Sequence, residues 1–433
     1  MKSLIVTIAS ISLLGSFTML NADEEKGAGS GSPFSSAPED PSNLLLEVDQ
    51  RRAQRESLLP VSPLKPLHDA SGEMKDSIYE ASGIKLGLTI NHLFQGLSEA
   101  KPGMNTWGTT TDADLVASWE LINRGKPSAG KLFAHLEGRW DYGTTGPQDL
   151  GFVNLGSQIG TGNAFSKYQP TVLIRNLYWE QGSQEAGWAF RAGKITTDAI
   201  LGTSKHITPV TTFLPNAGTG FFVDAFPDSG LGAVGAWHPS DSFKVIGLVA
   251  DANGNRYDWG DIGAGDFYTA LEVAAKIVPG TGRADYSKLT IWHTDGTEDG
   301  APINANTGKD GWGYSLKYEQ ELSKDGRLIG ITRWGQSFNE AALYKYQAGA
   351  NVLLYEPLGS KAGMKNDLLG LGLNWVEPTA AGSRDEYNAE IFYRFPLFPG
   401  VDTTLSYQSV INPALNPSTD HASVFSLRFR TVF

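Results

Sequence analysis

Hydrophobic and polar side chains alternate along the last twelve residues of the chain, 422–433. One side of this period-two pattern carries Phe425, Leu427, Phe429, Thr431 and Phe433, and the other carries Ser426, Arg428, Arg430 and Val432. Arginines opposite a row of aromatics require a strand with one apolar and one wet face. The pattern is typical of the closing strand of an outer-membrane β-barrel, although a half-exposed terminal strand of a soluble sheet would alternate in the same way.

The same alternation recurs in segment after segment from residue 84 onward. In the third segment, Leu136 and Trp140 oppose Glu137, Arg139 and Asp141. A soluble sandwich usually keeps such a face as a dry core or as a one-sided solvent face. The chain therefore predicts an all-β fold, a transmembrane antiparallel β-barrel of about sixteen strands. We place the strands at 84–96, 110–122, 130–142, 171–181, 187–195, 229–238, 242–252, 267–278, 283–294, 311–322, 326–336, 343–355, 367–376, 386–396, 401–411 and 422–433.

The lengths of the connections strengthen this prediction. Most even-numbered strands are followed by tight turns and most odd-numbered strands by longer segments, although the connections after strands eleven and twelve break the rule. Short periplasmic turns alternating with long extracellular loops are expected of a barrel whose termini lie in the periplasm. In a sandwich or a propeller, the length of a connection is not expected to depend on whether it follows an odd-numbered or an even-numbered strand.

The N-terminal region predicts export and a separate leader. Lys2, an apolar run and the small-residue site ending at Ala22 have the layout of a secretory signal peptide over residues 1–22. Residues 23–75 are predicted as a flexible leader that is compatible with a short charged helix within 43–59. Residues 76–433 are predicted as the barrel, which would lie in the cell outer membrane.

Composition excludes several classes of protein. A net charge of −12 argues against nucleic acid as a partner. The absence of cysteine excludes disulfides, thiolate metal sites and cysteine nucleophiles. The 50 glycines, 11 tryptophans and 15 tyrosines suit a protein with many turns, aromatic membrane interfaces and a wet interior.

The long connection 196–228 predicts how the channel narrows. Its prolines and glycines prevent it from extending the hairpin, and its phenylalanines would be costly to leave in water. We expect it to fold inward as a constriction loop, with a cap over the channel mouth as the alternative. The loop residues singled out are Phe213, Asn216, Phe221 and Asp224.

Charged side chains on the predicted inner faces beside this loop form a candidate pathway for solutes. They are Glu137, Arg139, Asp141, Glu180 and Arg191. Arginine offers a rigid fork of donors to vicinal hydroxyls, and carboxylates accept from the same hydroxyls. Each charge taken alone is also compatible with a plain solvated wall. The parity of the fourth strand stays open, because Arg175 and Glu180 cannot both face inward without a bulge.

Motifs for catalysis and for cofactor binding were not found. The histidines form no HExxH pair, and no Gly-x-Ser-x-Gly elbow or phosphate-cradling loop occurs. We therefore predict a protein that is not an enzyme and that uses no cofactor and no metal.

Four short motifs resemble the OprB-type carbohydrate-selective porins. They are LYWEQ at 177–181, FRAGK at 190–194, EIFYR at 390–394 and LSYQSVINP at 405–413. The resemblance covers roughly residues 76–433, and the leader departs from it.

The resemblance implies passive diffusion of mono- and small oligosaccharides across the outer membrane. A general or weakly ion-selective porin is the alternative, and a barrel-based adhesin or outer-membrane enzyme is a second one. The expected partners are sugars, outer-membrane lipid and the barrel insertion machinery, which would contact Phe429 and Phe433. Whether the protein is a monomer or a trimer stays open.

Overall fold

Sixteen strands form one closed antiparallel barrel in the computed structural model, which describes residues 31–51, 57–359 and 366–433. Each strand pairs with its neighbours along the chain, and the first pairs with the last. The predicted all-β barrel is therefore confirmed. The strands are β1 (Ile84–Leu97), β2 (Trp107–Ile122), β3 (Gly130–Asp141), β4 (Val172–Ser183), β5 (Trp188–Ile195), β6 (Gly230–Ser240), β7 (Phe243–Asp251), β8 (Phe267–Ala275), β9 (Ser287–Thr294), β10 (Gly311–Glu321), β11 (Leu328–Ser337), β12 (Tyr344–Tyr355), β13 (Leu368–Pro378), β14 (Glu386–Phe398), β15 (Val401–Ile411) and β16 (His421–Val432).

Burial follows the alternation of the sequence, as β16 illustrates. Arg428 and Arg430 are 1% and 3% exposed, whereas Phe425 on the opposite face is 61% exposed. Outward side chains of such a barrel face lipid, and inward side chains line the lumen. The arginines of β16 therefore belong to the lumen wall, as the sequence predicts.

The two ends of the barrel differ in their connections. At the end we call the turn end, several connections are short, including 184–187, 241–242, 322–327 and 399–400. At the opposite end, the loop end, the connections include the long segments 142–171, 196–229, 252–266 and 295–310. The last strand also finishes at the turn end, so the predicted sorting of loops is present.

Among the described residues, two helices precede the first strand. Helix α1 spans Pro41–Arg51 and helix α2 spans Lys65–Ser82. Helix α2 ends at Gly83, whose φ of 76° lets its N–H reach Tyr79 O at 2.8 Å and stop the helix before β1. No helix among the described residues is long and apolar enough to cross a membrane.

Residues 31–51, which we call the lumen segment, lie inside the barrel near the turn end. The sequence predicts a flexible leader here, but Phe34, Asp40, Leu44 and Val48 are each no more than 2% exposed. Burial of these side chains explains the difference, because the lumen supplies the partners that an isolated leader lacks. The predicted signal peptide and residues 23–30 lie outside the described residues.

Candidate functional site in the barrel lumen

The connection between β5 and β6, residues 196–229, enters the lumen, and we call it the crossing loop. The four loop residues singled out from the sequence, Phe213, Asn216, Phe221 and Asp224, are each no more than 2% exposed. The loop leaves the wall beside β5 and reaches strands on the far side. It therefore crosses the interior and does not cap the mouth.

Hydrogen bonds to the opposite wall hold the crossing loop in place. The carboxylate of Glu390 on β14 accepts from Leu214 N at 2.9 Å. Gln347 on β12 donates to Gly220 O at 2.7 Å. Arg428 on β16 donates to Thr212 O at 2.9 Å. These bonds satisfy loop backbone groups that would otherwise be buried without partners.

Aromatic packing and a buried acid complete the docking of the crossing loop. Phe213 meets Phe392 edge to face, with ring centroids 5.0 Å apart. Ser315 Oγ donates to Asp224 Oδ2 at 2.7 Å. Burial raises the pKa of the Asp224 carboxyl well above its ordinary value. Burial therefore favours the neutral form of this acid, which avoids an unpaired charge in the packed loop.

A second connection, residues 142–171, also enters the lumen, and we call it the inner loop. Thr161 O accepts from Gln95 Nε2 and from Gln408 Nε2, at 2.8 Å each. The inner and crossing loops bond to each other, since Asn216 N donates to Ile159 O at 2.9 Å. The inner loop is not among the segments predicted to enter the lumen, although it contains apolar residues like those that predict the inward course of the crossing loop. They include Leu150, Leu155, Ile159 and Phe165.

Alternating charges run around the lumen wall on β2, β3 and β4. Asp112 Oδ1 accepts from Arg139 Nε at 2.8 Å, and Arg139 also donates to Glu137. Glu137 Oε2 in turn lies 3.4 Å from Arg175 Nε. All four side chains face inward, so the wall presents anionic and cationic groups in alternation.

Loop residues at the loop end extend the series. Arg175 and Arg256 both pair with Asp228, which follows the crossing loop's phenylalanines. Burial opposes ionisation of Asp228, but the two guanidinium groups hold its pKa below the ordinary value. Tyr168 of the inner loop donates to Glu137 Oε2 at 2.9 Å. We call this set the charge chain: Asp112, Arg139, Glu137, Arg175, Asp228 and Arg256.

A β-bulge settles the parity of the fourth strand. His135 pairs with Asn176 and Leu136 pairs with Ile174, so Arg175 is the extra residue between them. The bulge turns Arg175 inward while Glu180, further along the same strand, also faces the lumen. Both side chains therefore point inward, which strict alternation forbids.

A cavity of about 320 Å³ lies between the charge chain and the two inserted loops. Asp112, Glu137, Arg139 and Arg175 contribute polar wall. The loops contribute aromatic side chains, and the lumen segment closes one side with Ala37 and Glu39. The volume is at the lower end of the range of small-molecule pockets. Aromatic lining from the loops comes from Phe152, Tyr168, Phe221, Phe222 and Phe226.

The other predicted pathway residues lie away from this cavity. Asp141 is partly exposed nearer the loop end, where it accepts from Thr110. Glu180 and Arg191 pair with each other at 2.7 Å near the turn end. Arg191 also pairs with Asp40 of the lumen segment at 2.9 Å, so this cluster is covered. The structure thus brings together Glu137 and Arg139 but separates them from Glu180 and Arg191.

The carboxylates of Asp112, Asp114 and Glu137 come close enough to suggest a metal site, with ligand atoms within 4.8 Å of one another. Each is already engaged by protein groups. Asp112 accepts from Arg139 and Asn91, and Asp114 Oδ1 lies 2.9 Å from a ring nitrogen of His135. The arrangement therefore suits hydrogen bonding to a neutral polar ligand better than cation coordination.

Comparison with known proteins gives one family and one fold. Residues 152–433 match the family described as carbohydrate-selective porin, OprB family. The high-pH structure of Pseudomonas putida OprB aligns with a TM-score of 0.66 at 12% identity, over 84% of this chain and 97% of that chain. The low-pH structure aligns with a TM-score of 0.51, also at 12% identity, over 84% and 96%. A search of curated protein sequences found no match.

Proposed function

Because the chain belongs to the OprB family of carbohydrate-selective porins, we propose that mono- and small oligosaccharides diffuse passively through its lumen by way of the cavity. The barrel lies in the outer membrane. The turn end faces the periplasm, since short turns face the periplasm in bacterial barrels. Such a channel performs no chemical step and uses no cofactor.

The observation that carries the proposal is the charge chain along the cavity wall. Asp112, Glu137, Arg139, Arg175 and Arg256 of the charge chain line the cavity, so hydrogen-bond acceptors and donors lie side by side on its wall. The bonds from Arg139 to Asp112 and Glu137 use two of its five N–H groups. Donors and acceptors side by side match the vicinal hydroxyls of a sugar.

The crossing loop supports the proposal by narrowing the lumen beside the charge chain. Phe221 and Phe222 line the same cavity as Arg139 and Glu137. A cavity with both apolar and polar walls suits a sugar ring, which has an apolar face and polar edges. A wide general porin has no need of such a pairing.

Sugar-titrated conductance of the reconstituted protein in planar bilayers tests this proposal. Added glucose or maltose should reduce the single-channel current in wild-type protein. In Arg139→Gln the sugar affinity should fall about tenfold, because loss of a charged hydrogen bond costs about 1.5 kcal/mol. Arg327→Gln, on the exposed turn 322–327, is the matched control and should behave as wild type.

Two outcomes contradict the proposal. A current that is indifferent to sugar would identify a general or weakly ion-selective porin. Liposomes that carry the protein but swell in sugar no faster than empty liposomes would exclude sugar permeation altogether.

A further inference from the structure

The lumen segment occupies the channel interior near the turn end without being part of the wall. It contributes no strand to the barrel, whose sheet closes between β1 and β16. Phe34 and Asp40 are both fully buried, and wall residues that face them are buried as well, with Arg191 at 2% and Lys244 at 3% exposure. The segment therefore fills space that the sixteen strands would otherwise leave to water.

Polar contacts attach the lumen segment to widely separated strands. Asp40 pairs with Arg191 on β5, and Phe34 O accepts from Lys244 Nζ on β7 at 2.9 Å. Across the barrel, Glu47 pairs with Arg430 on β16 at 2.7 Å. The contacts thus reach both sides of the lumen, as expected of a body wedged between the walls.

The charges of the lumen segment and of the surrounding wall are complementary, which indicates a specific docking site. The segment carries four acidic residues between positions 31 and 50 and no lysine or arginine there. Two of the four, Asp40 and Glu47, meet arginines of the wall. The wall near the turn end thus supplies cations at the points where the segment supplies anions.

Apolar side chains of α1 pack against β1. A Cβ placed on Gly87 of β1 would lie 2.9 Å from Val48 Cγ2 and 3.1 Å from Leu45 Cδ2. The missing side chain at Gly87 therefore makes room for the helix. The segment is also held by ion pairs and hydrogen bonds, which can be exchanged for water.

A fixed point beyond the segment would keep it near the channel after undocking. Leu58 N and Leu59 N donate to Pro396 O and Leu397 O, at 2.9 Å each. These bonds attach the chain to the end of β14 at the turn end. A withdrawn segment would consequently stay tethered beside the opening.

We propose that the lumen segment is a displaceable plug, which restricts the channel when docked and must withdraw at the turn end for full conductance. The proposal rests on the channel function of the family but not on the identity of the solute. The single-channel current in potassium chloride alone therefore tests the plug. The sugar proposal is tested separately, by the reduction of that current when sugar is added.

A reversible tether in the full-length chain tests the plug. In the Val48→Cys/Gly87→Cys variant the two Cβ atoms lie at most about 4.4 Å apart, within the range of a disulfide. The chain has no native cysteine, so any disulfide comes from this pair. We expect a small single-channel conductance in the oxidised protein and a severalfold larger one after reduction with dithiothreitol.

Controls make the outcome decisive. The single variants Val48→Cys and Gly87→Cys cannot form the tether and should not respond to dithiothreitol. Equal conductance before and after reduction, with the disulfide verified by mass spectrometry, would overturn the proposal. Retained sugar block in that case would leave the proposed sugar pathway intact.

A charge variant tests the docking contacts without a cross-link. Asp40→Asn removes the anion that faces Arg191 and should increase the fraction of time spent in the larger conductance state. Asp325→Asn, on the exposed turn 322–327, is the matched control. Identical gating in wild type and Asp40→Asn would show that the ion pair does not hold a plug.

Discussion

Neighbouring acids of the lumen segment meet different surroundings. Asp40 is fully buried against Arg191, so its negative charge is balanced by a guanidinium. Glu39 accepts from Thr208 of the crossing loop and has Arg430 and Asp114 as its charged neighbours. Burial, the largest influence, raises the pKa of Glu39 from 4.5 to about 7. Glu39 therefore makes docking sensitive to pH near neutrality.

The sign of this effect follows from linkage. A pKa raised on docking means that the docked state prefers the protonated acid, so docking is strongest below about pH 4.5 and weakens as pH rises through about 7. We expect the large-conductance state to become more populated over that interval, by up to about tenfold per pH unit.

Single-channel recordings over this pH range check the prediction, with Glu39→Gln as the test variant. The amide cannot ionise, so its open fraction should be nearly independent of pH. A wild-type open fraction that falls with rising pH would contradict the assignment, and an unchanged slope in Glu39→Gln would move the effect to another group.

At the scale of elements, β16 combines a lumen face, a lipid face and the seam with β1. Phe433 exchanges two backbone hydrogen bonds with Leu88, of 2.8 and 3.0 Å. Its ring lies 4.6 Å from the ring of His68 on α2. The aromatic ring of Phe433 can therefore be removed by substitution without removing the backbone hydrogen bonds that close the seam.

We predict that Phe433→Ala lowers the yield of folded barrel severalfold, because the insertion machinery would lose the aromatic end of the strand while the seam keeps its backbone bonds. The heat-modifiable band in the outer-membrane fraction measures this yield. Phe425→Ala removes an exposed aromatic from the same strand and should cost little. If His68→Ala lowers the yield of folded barrel by the same factor, the loss in Phe433→Ala is due to the contact with α2 and not to the insertion machinery.

Periodicity explains why the strands could be predicted and why some site residues could not. Glu137 and Arg139 lie on a strand whose alternation places them inside, and the structure puts both on the cavity. The sequence leaves the direction of the Arg175 side chain open, because one extra residue in a strand reverses which positions face inward. No local feature of the sequence marks the bulge at this residue. Tyr168 and Arg256 lie in loops, where no period relates position to direction.

At the scale of the whole molecule, three segments of the described chain that are not strands enter the barrel interior: the lumen segment, the inner loop and the crossing loop. The sequence predicted the inward course of the crossing loop because its phenylalanines need burial. The sequence does not predict that the lumen segment is buried, because its apolar residues, such as Phe34 and Leu44, are surrounded by many polar ones. Their burial depends on Arg191 and Arg430, which lie far away in the chain.

Deletion of residues 31–51 should shift the channel toward anions. The deletion removes four carboxylates and one guanidinium, and it exposes Arg191, Lys244 and Arg430 to the channel. Because cationic walls concentrate anions, the reversal potential in a potassium chloride gradient should move toward that of chloride. An unchanged reversal potential in a folded, conducting variant would contradict this prediction.

The pairing of Glu47 with Arg430 also orders events during biogenesis. The lumen segment is synthesised before every strand, yet one of its binding partners lies on the strand that is synthesised last. Its resting place is complete only when β16 has joined β1 and the wall has closed. The part of the described chain that is made first therefore gains its full set of partners only once the barrel has closed.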